Sequence, residues 1–93
     1  MSEGVRRRSW EIVLFEDDDD YALLVEHALD NATERTAKVR RGRTGIEGLA
    51  LLREDIPDLV ILDLKMPGMA GHEALAEIRG DDALRAIPVA ILS

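Results

Sequence analysis

The sequence predicts an α/β domain with helices on both faces of a parallel, doubly wound sheet. Three short apolar runs, at 12–15, 59–62 and 89–92, have the length of strands and do not alternate with polar residues. Runs of this kind are typical of strands that are buried on both faces of a sheet. Helical patterns separate the runs, and the resulting order β-α-β-α-β-α-β leaves room for right-handed crossovers.

The first apolar run is followed by an amphipathic helix. Its apolar positions follow the spacing i, i+3, i+4, i+7, i+8 and i+11, and this face is predicted to pack on the sheet. The positions are Tyr21, Leu24, Val25, Ala28, Leu29 and Ala32. The next run, at 37–41, is more polar, which fits a strand at the edge of the sheet.

Two further helices have recognisable ends. Thr44 and Glu47 have the spacing of a capping box, and Pro57 ends the helix that begins there. The apolar positions predicted for this helix are Ile46, Leu49 and Leu52. A third helix follows a turn at Pro67-Gly68 and aligns four residues on one face, which are Gly71, Ala74, Leu75 and Ile78.

Composition limits the function classes. A chain of 93 residues forms one small domain, and without cysteine it has no disulfide framework and no thiolate metal site. No apolar stretch is long enough for a signal peptide or a membrane span, so the expected location is the cytoplasm. The net charge is −7, which disfavours nucleic-acid binding. We expect a disordered basic arm at 1–9 and one domain at 10–93.

Acidic residues follow two of the predicted strands. Glu16 and Asp17 end the first strand, Asp63 ends the third, and Ser93 ends the fourth. Ligands of open α/β sheets bind at the carboxyl ends of the strands, so three carboxylates converge if the first and third strands are neighbours. Such crowding is unfavourable without a cation. Mg²⁺ fits best, because it is bound by one or two carboxylates together with water and phosphate oxygens.

Three segments resemble the signatures of response regulator receiver domains, in the same order and at the same spacing. They are Val13-Leu14-Phe15-Glu16-Asp17-Asp18, Leu59-Val60-Ile61-Leu62-Asp63-Leu64-Lys65-Met66-Pro67-Gly68-Met69 and Ile87-Pro88-Val89-Ala90-Ile91-Leu92-Ser93. Residues 16–20 and 84–93 are also similar to the single-domain regulators that partner phytochrome-type histidine kinases. The resemblance implies a flavodoxin-like (CheY-like) fold with strand order 2-1-3-4.

The resemblance also implies a role for each site residue. Asp63 would accept a phosphoryl group from a histidine kinase or a phosphotransfer protein. Asp17, Asp63 and the backbone carbonyl of Lys65 would bind Mg²⁺ directly, and Glu16 would reach the ion through water. Ser93 would donate its hydroxyl to the phosphoryl group. Output would pass through protein contacts, with no nucleic acid or membrane involved.

The sequence departs from the receiver pattern in two respects. Glu16 stands where many receivers have aspartate, which lengthens that side chain by one methylene group. The family's fourth helix, fifth strand and fifth helix have no counterpart, and neither has the lysine that precedes a proline at the start of the fifth strand. The expected consequence is an acceptor site without the full switch. A strand at 89–92 left as an apolar edge would also favour self-association as a homo-oligomer.

Other interpretations remain open from the residues alone. Asp63 before a Pro-Gly turn also fits a polar strand end with a purely local role. An aspartyl phosphatase or phosphotransferase of the haloacid-dehalogenase type is a second hypothesis, but Lys65 stands where such enzymes carry another acid. A receiver-like module that binds partners without switching is a third. Residues 18–20 are predicted to cap the first helix, and His27 and His72 to lie on the surface.

Overall fold

The computed structural model of the chain describes residues 9–32, 36–66 and 71–92. These residues form four strands and three helices, which are β1 Trp10–Phe15, α1 Asp19–Ala32, β2 Ala37–Gly42, α2 Gly45–Glu54, β3 Leu59–Asp63, α3 Gly71–Gly80 and β4 Val89–Leu92. The strand order is β2-β1-β3-β4, and all neighbouring strands are parallel. The predicted fold class and strand order are therefore confirmed. The predictions for residues 1–8, for the turn at Pro67-Gly68 and for Ser93 lie outside the described residues.

The two central strands, β1 and β3, supply side chains to two apolar layers because successive strand residues point to opposite faces. Val13, Phe15, Val60 and Leu62 lie in the layer that α2 and α3 cover. The opposite layer contains Ile12, Leu14, Ala22 and Ile61, so α1 covers this face. The carboxyl ends of β1 and β3 are thus held between two packed layers.

The predicted packing face of α1 is partly wrong. Val25 and Leu29 are half-buried against the sheet as expected, but Tyr21 is exposed and Leu24 is 66% exposed. The fully buried residue is Ala22. Val25 and Leu29 belong to two possible stripes with helical spacing, one that begins at Tyr21 and one that begins at Ala22. The stripe with Ala22 faces the sheet, because the small alanine side chain lets α1 lie closer to β1.

The predicted N-cap of α2 is confirmed, because the Thr44 hydroxyl accepts a hydrogen bond of 3.1 Å from the Glu47 N–H. The reciprocal half of the capping box differs, because the Glu47 side chain accepts from the Arg43 N–H at 2.9 Å. The buried stripe of this helix consists of Gly45, Gly48, Leu49 and Leu52. Ile46, which was predicted to face the core, is 66% exposed. The reason is that the glycines, rather than the larger residue, let the helix backbone approach the sheet.

The predicted packing face of α3 is confirmed, with Gly71, Ala74 and Ile78 buried. The prediction for β4 is partly wrong, because Ala90 and Ile91 are exposed. Within the described residues β4 pairs only with β3, so it forms an edge of the sheet. Self-association through this edge stays a prediction.

In the part of the chain that the structure describes, no helix is long and apolar enough to cross a membrane.

Candidate functional site

The carboxyl ends of β1 and β3 bring three acidic side chains together. Phe15 and Leu62 are paired in the sheet, so the residues that follow them, Glu16 and Asp63, extend side by side. One carboxylate oxygen from each of Glu16, Asp17 and Asp63 lies within 4.8 Å of the other two. The structure therefore places together the acidic residues that the sequence selected.

Glu16 is the buried member of this cluster, with only 2% of its surface exposed. Its Oε2 atom accepts a hydrogen bond of 3.1 Å from the Asp18 N–H. Its Oε1 atom is buried and has no hydrogen-bond partner among the described residues. A buried carboxylate oxygen without a partner is unfavourable, whereas a cation beside it would supply the missing interaction. The donor set, all carboxylate oxygens, suits a hard divalent ion such as Mg²⁺.

The electrostatic environment of Glu16 agrees with this interpretation. Burial raises the pKa of Glu16 above its ordinary value of 4.5, and the negative charges of Asp63 and Asp17 raise it further. The hydrogen bond from the Asp18 backbone opposes these effects but does not cancel them. In the absence of a cation, the folded protein therefore resists ionisation of Glu16.

Asp63 has close neighbours on two sides. The Lys65 N–H donates a hydrogen bond of 2.9 Å to Asp63 Oδ1, which fixes the carboxylate against the turn that follows β3. On the other side, α3 begins so close to this turn that a Cβ atom at Gly71 would lie 2.7 Å from the Asp63 carbonyl oxygen. The Lys65 side chain is exposed, as predicted. The metal-binding role of its carbonyl stays a prediction.

Of the remaining acids of the block, Asp18 has the capping role that the sequence predicted, and Asp19 and Asp20 lie in the first turn of α1. Asp18 Oδ1 accepts hydrogen bonds of 2.9 Å from the Asp20 N–H and 3.0 Å from the Tyr21 N–H, which caps the start of α1. His27 and His72 are exposed, as predicted.

Two arginines at this edge were missed by the sequence analysis. Arg41 Nη2 and Arg43 Nη1 each lie 2.8 Å from Asp19 Oδ1. The hydrogen bond from Arg41 is the main reason that the pKa of Asp19 is lowered, and the charge of Arg43 adds to it. The available signal was that basic residues end an edge strand whose carboxyl end lies at the same edge of the sheet as the acidic block.

Replacing Glu16 with glutamine is expected to stabilise the protein at neutral pH when no divalent cation is present. Because the pKa of Glu16 is raised in the folded state, its contribution to stability is complete below about pH 4.5 and is lost as the pH rises through the higher folded value. Glu16→Gln cannot ionise and avoids this loss. In EDTA, the urea midpoint of the variant should exceed that of the wild type at pH 7, and the two should converge near pH 4.

Glu54→Gln is a matched control, because Glu54 lies exposed at the end of α2. Glu54→Gln should leave the pH dependence of the urea midpoint as it is in the wild type. Added Mg²⁺ should stabilise the wild type more than Glu16→Gln, since the ion binds the charged cluster better. Equal midpoints of Glu16→Gln and wild type at every pH would show that burial does not penalise the Glu16 charge.

The sequence profile for the response regulator receiver domain matches residues 12–93. A probable methanogenesis regulatory protein of Methanothrix harundinacea, FilR2, is 36% identical over 87 residues, which cover 88% of this chain and 56% of that protein. The transcriptional regulatory protein AfsQ1 of Streptomyces coelicolor is 38% identical over 82 residues, covering 88% of this chain and 34% of that protein. The chain thus spans about a third to a half of these curated relatives.

Solved structures similar to this chain are also response regulators. The phosphorylated cyanobacterial phytochrome response regulator RcpA superposes with a TM-score of 0.84 at 38% identity, covering 91% of this chain and 65% of that one. The Mn²⁺-bound form of the response regulator Rcp1 superposes with a TM-score of 0.80 at 30% identity, covering 88% of this chain and 63% of that one.

Proposed function

This chain belongs to the response regulator receiver domain family of two-component signalling, and from that premise we propose that Asp63 accepts a phosphoryl group in a Mg²⁺-dependent reaction. One observation carries the proposal, namely the convergence of the Glu16, Asp17 and Asp63 carboxylates at the carboxyl ends of β1 and β3. Members of this family are signalling modules rather than classical enzymes, so the bound phosphoryl group is the signal itself.

In this proposal Asp17, Asp63 and the Lys65 carbonyl would hold Mg²⁺ directly, and Glu16 would reach it through water. The unpartnered Oε1 atom of Glu16 supports a cation beside the cluster, and the Mn²⁺-bound relative supports a divalent ion. When bound, Mg²⁺ neutralises the charge that develops on the transferring phosphoryl group. The acidic side chains would place the cation next to Asp63, the proposed nucleophile.

Asp63 supplies the nucleophile. The Lys65 N–H holds Oδ1, and the other carboxylate oxygen attacks the phosphorus of a phosphohistidine on a kinase or phosphotransfer protein. An O–P bond forms, the N–P bond breaks, and the leaving imidazole takes up a proton from solvent. Positioning and electrostatics supply most of the catalysis, because a carboxylate is a weak nucleophile. In the same proposal, Ser93 donates to the phosphoryl oxygens, output passes to a protein partner, and the cytoplasm is the location.

Treatment of the wild-type chain with acetyl phosphate tests this function. We expect the intact mass to increase by one phosphoryl group in the presence of Mg²⁺ and to stay unchanged in EDTA. An unchanged mass under both conditions would support a module that binds partners without switching. Catalytic release of phosphate over many turnovers from a phosphate monoester would instead support the phosphatase hypothesis.

A further inference from the structure

Arg41, at the end of β2, contacts the loop that carries the acidic cluster. Its Nε atom donates a hydrogen bond of 2.8 Å to the Glu16 carbonyl oxygen, and its Nη2 atom donates one of 2.8 Å to Asp19 Oδ1. The Arg41 side chain is only 18% exposed, so water competes weakly for its bond to the part-buried Glu16 carbonyl, whereas the Asp19 carboxylate is exposed. A single guanidinium thus joins the edge strand β2 to both ends of the β1–α1 loop, in which Asp17 lies.

The end of β2 holds both backbone polar groups of Glu16. The Glu16 N–H donates a hydrogen bond of 3.1 Å to the Gly42 carbonyl oxygen, and the Glu16 carbonyl accepts from Arg41. The backbone of Glu16 is therefore fixed on the side of the loop away from β3. Fixing this backbone also fixes the direction from which Glu16 and Asp17 approach Asp63.

Arg43 offers an internal comparison. It carries the same charge and reaches the same oxygen of Asp19, but its side chain is 55% exposed. Among the described residues Arg43 makes no hydrogen bond to Glu16. The two arginines therefore share a charge effect on the cluster, whereas only Arg41 holds the Glu16 backbone.

We propose that Arg41 is a positioning residue for the divalent cation, holding the Glu16–Asp17 backbone so that both carboxylates meet Asp63. The proposal rests on the metal site of the proposed function. The charge of Arg41 has the opposite effect on cation affinity. A positive charge near the cluster repels a cation, so removal of that charge alone would tighten binding. Positioning and charge therefore predict opposite results for the loss of Arg41.

Binding of Mn²⁺, measured by electron paramagnetic resonance, separates the two effects. For Arg41→Met we expect affinity about tenfold or more below the wild type, a loss of the size seen when partners that orient metal ligands are removed. Arg43→Met removes the same charge but keeps the bonds to Glu16, so its affinity should equal or exceed that of the wild type. Equal or tighter Mn²⁺ binding by Arg41→Met would overturn the proposal.

Arg41→Lys keeps the charge but lacks the planar fork that spans two acceptors. Its Mn²⁺ affinity should also fall, and the loss should persist at high salt, where charge effects are screened. This variant also serves if Arg41→Met fails to fold. Wild-type affinity in Arg41→Lys would overturn the positioning role.

The Mn²⁺ measurements distinguish an error in the proposed metal site from an error in the proposed role of Arg41. If the wild type binds no Mn²⁺, the metal site of the proposed function fails, and the role of Arg41 fails with it. If the wild type binds Mn²⁺ and gains a phosphoryl group while both Arg41 variants bind equally well, only the role of Arg41 is overturned. Urea midpoints of all variants show whether a lost affinity reflects lost folding.

Discussion

Asp63→Ala is expected to abolish phosphorylation of the chain by acetyl phosphate and Mg²⁺. The variant lacks the oxygen that attacks phosphorus, and it also removes one of the three carboxylates that converge at the site. The remaining carboxylates of Glu16 and Asp17 are proposed to face the cation rather than the phosphorus. Intact-mass measurement should therefore show no phosphoryl group on the variant, and beryllofluoride should leave its spectra unchanged.

Asp18→Asn is the matched control for this experiment. Asp18 belongs to the same acidic block, but its side chain caps α1 through the Asp20 and Tyr21 N–H groups. Asparagine is an equally good cap, so the variant should fold and gain a phosphoryl group as the wild type does. Equal phosphorylation of Asp63→Ala and the wild type would refute the assignment of the acceptor.

Gly71→Ala is expected to destabilise the protein and to disturb the site together. An added Cβ atom would lie 2.7 Å from the Asp63 carbonyl oxygen and 2.8 Å from the Leu64 carbonyl carbon, which are backbone atoms that cannot rotate away. Overpacking of this kind lowers the free energy of unfolding by about 1–3 kcal/mol. Urea unfolding should show this loss, and Mn²⁺ affinity should fall because the turn after β3 must move.

Gly80→Ala tests whether close packing is the cause. Gly80 ends the same helix, and a Cβ atom there would meet nothing within 4 Å. Alanine has the higher helix propensity, so this variant should be neutral or more stable by up to about 1 kcal/mol. Similar losses of stability in both variants would contradict the close-packing explanation.

The residues alone were sufficient to identify the strands and the acidic side chains at their carboxyl ends, and the reason is physical. Uninterrupted apolar runs identify buried parallel strands, and the carboxyl ends of such strands lie at one edge of the sheet. Glu16 and Asp63 each follow such a run directly, and Asp17 comes one residue later, so the convergence of the three carboxylates depends only on β1 and β3 being neighbours. The resemblance to receiver domains supplied that last condition.

The contacts between helices and strands could not be predicted from the sequence in the same way. The helical spacing of α1 allowed more than one packing stripe, and the stripe that contains Ala22 was decided by how closely the helix approaches the sheet. Arg41 and Gly71 contact the residues of the site from other elements, one from the edge strand β2 and one from the start of α3. Their roles depend on distances in space that no spacing along the chain encodes.

The position of the phosphoryl group is the most direct test of the function proposed for this chain. Borohydride reduces an aspartyl phosphate to homoserine and leaves ordinary carboxylates intact, so peptide mass spectrometry after acetyl phosphate treatment locates the acceptor. We predict homoserine at position 63 when Mg²⁺ is present, and unmodified Asp63 when EDTA replaces it. Homoserine at Asp17 or elsewhere, with Asp63 intact in a phosphorylated chain, would contradict the proposed function.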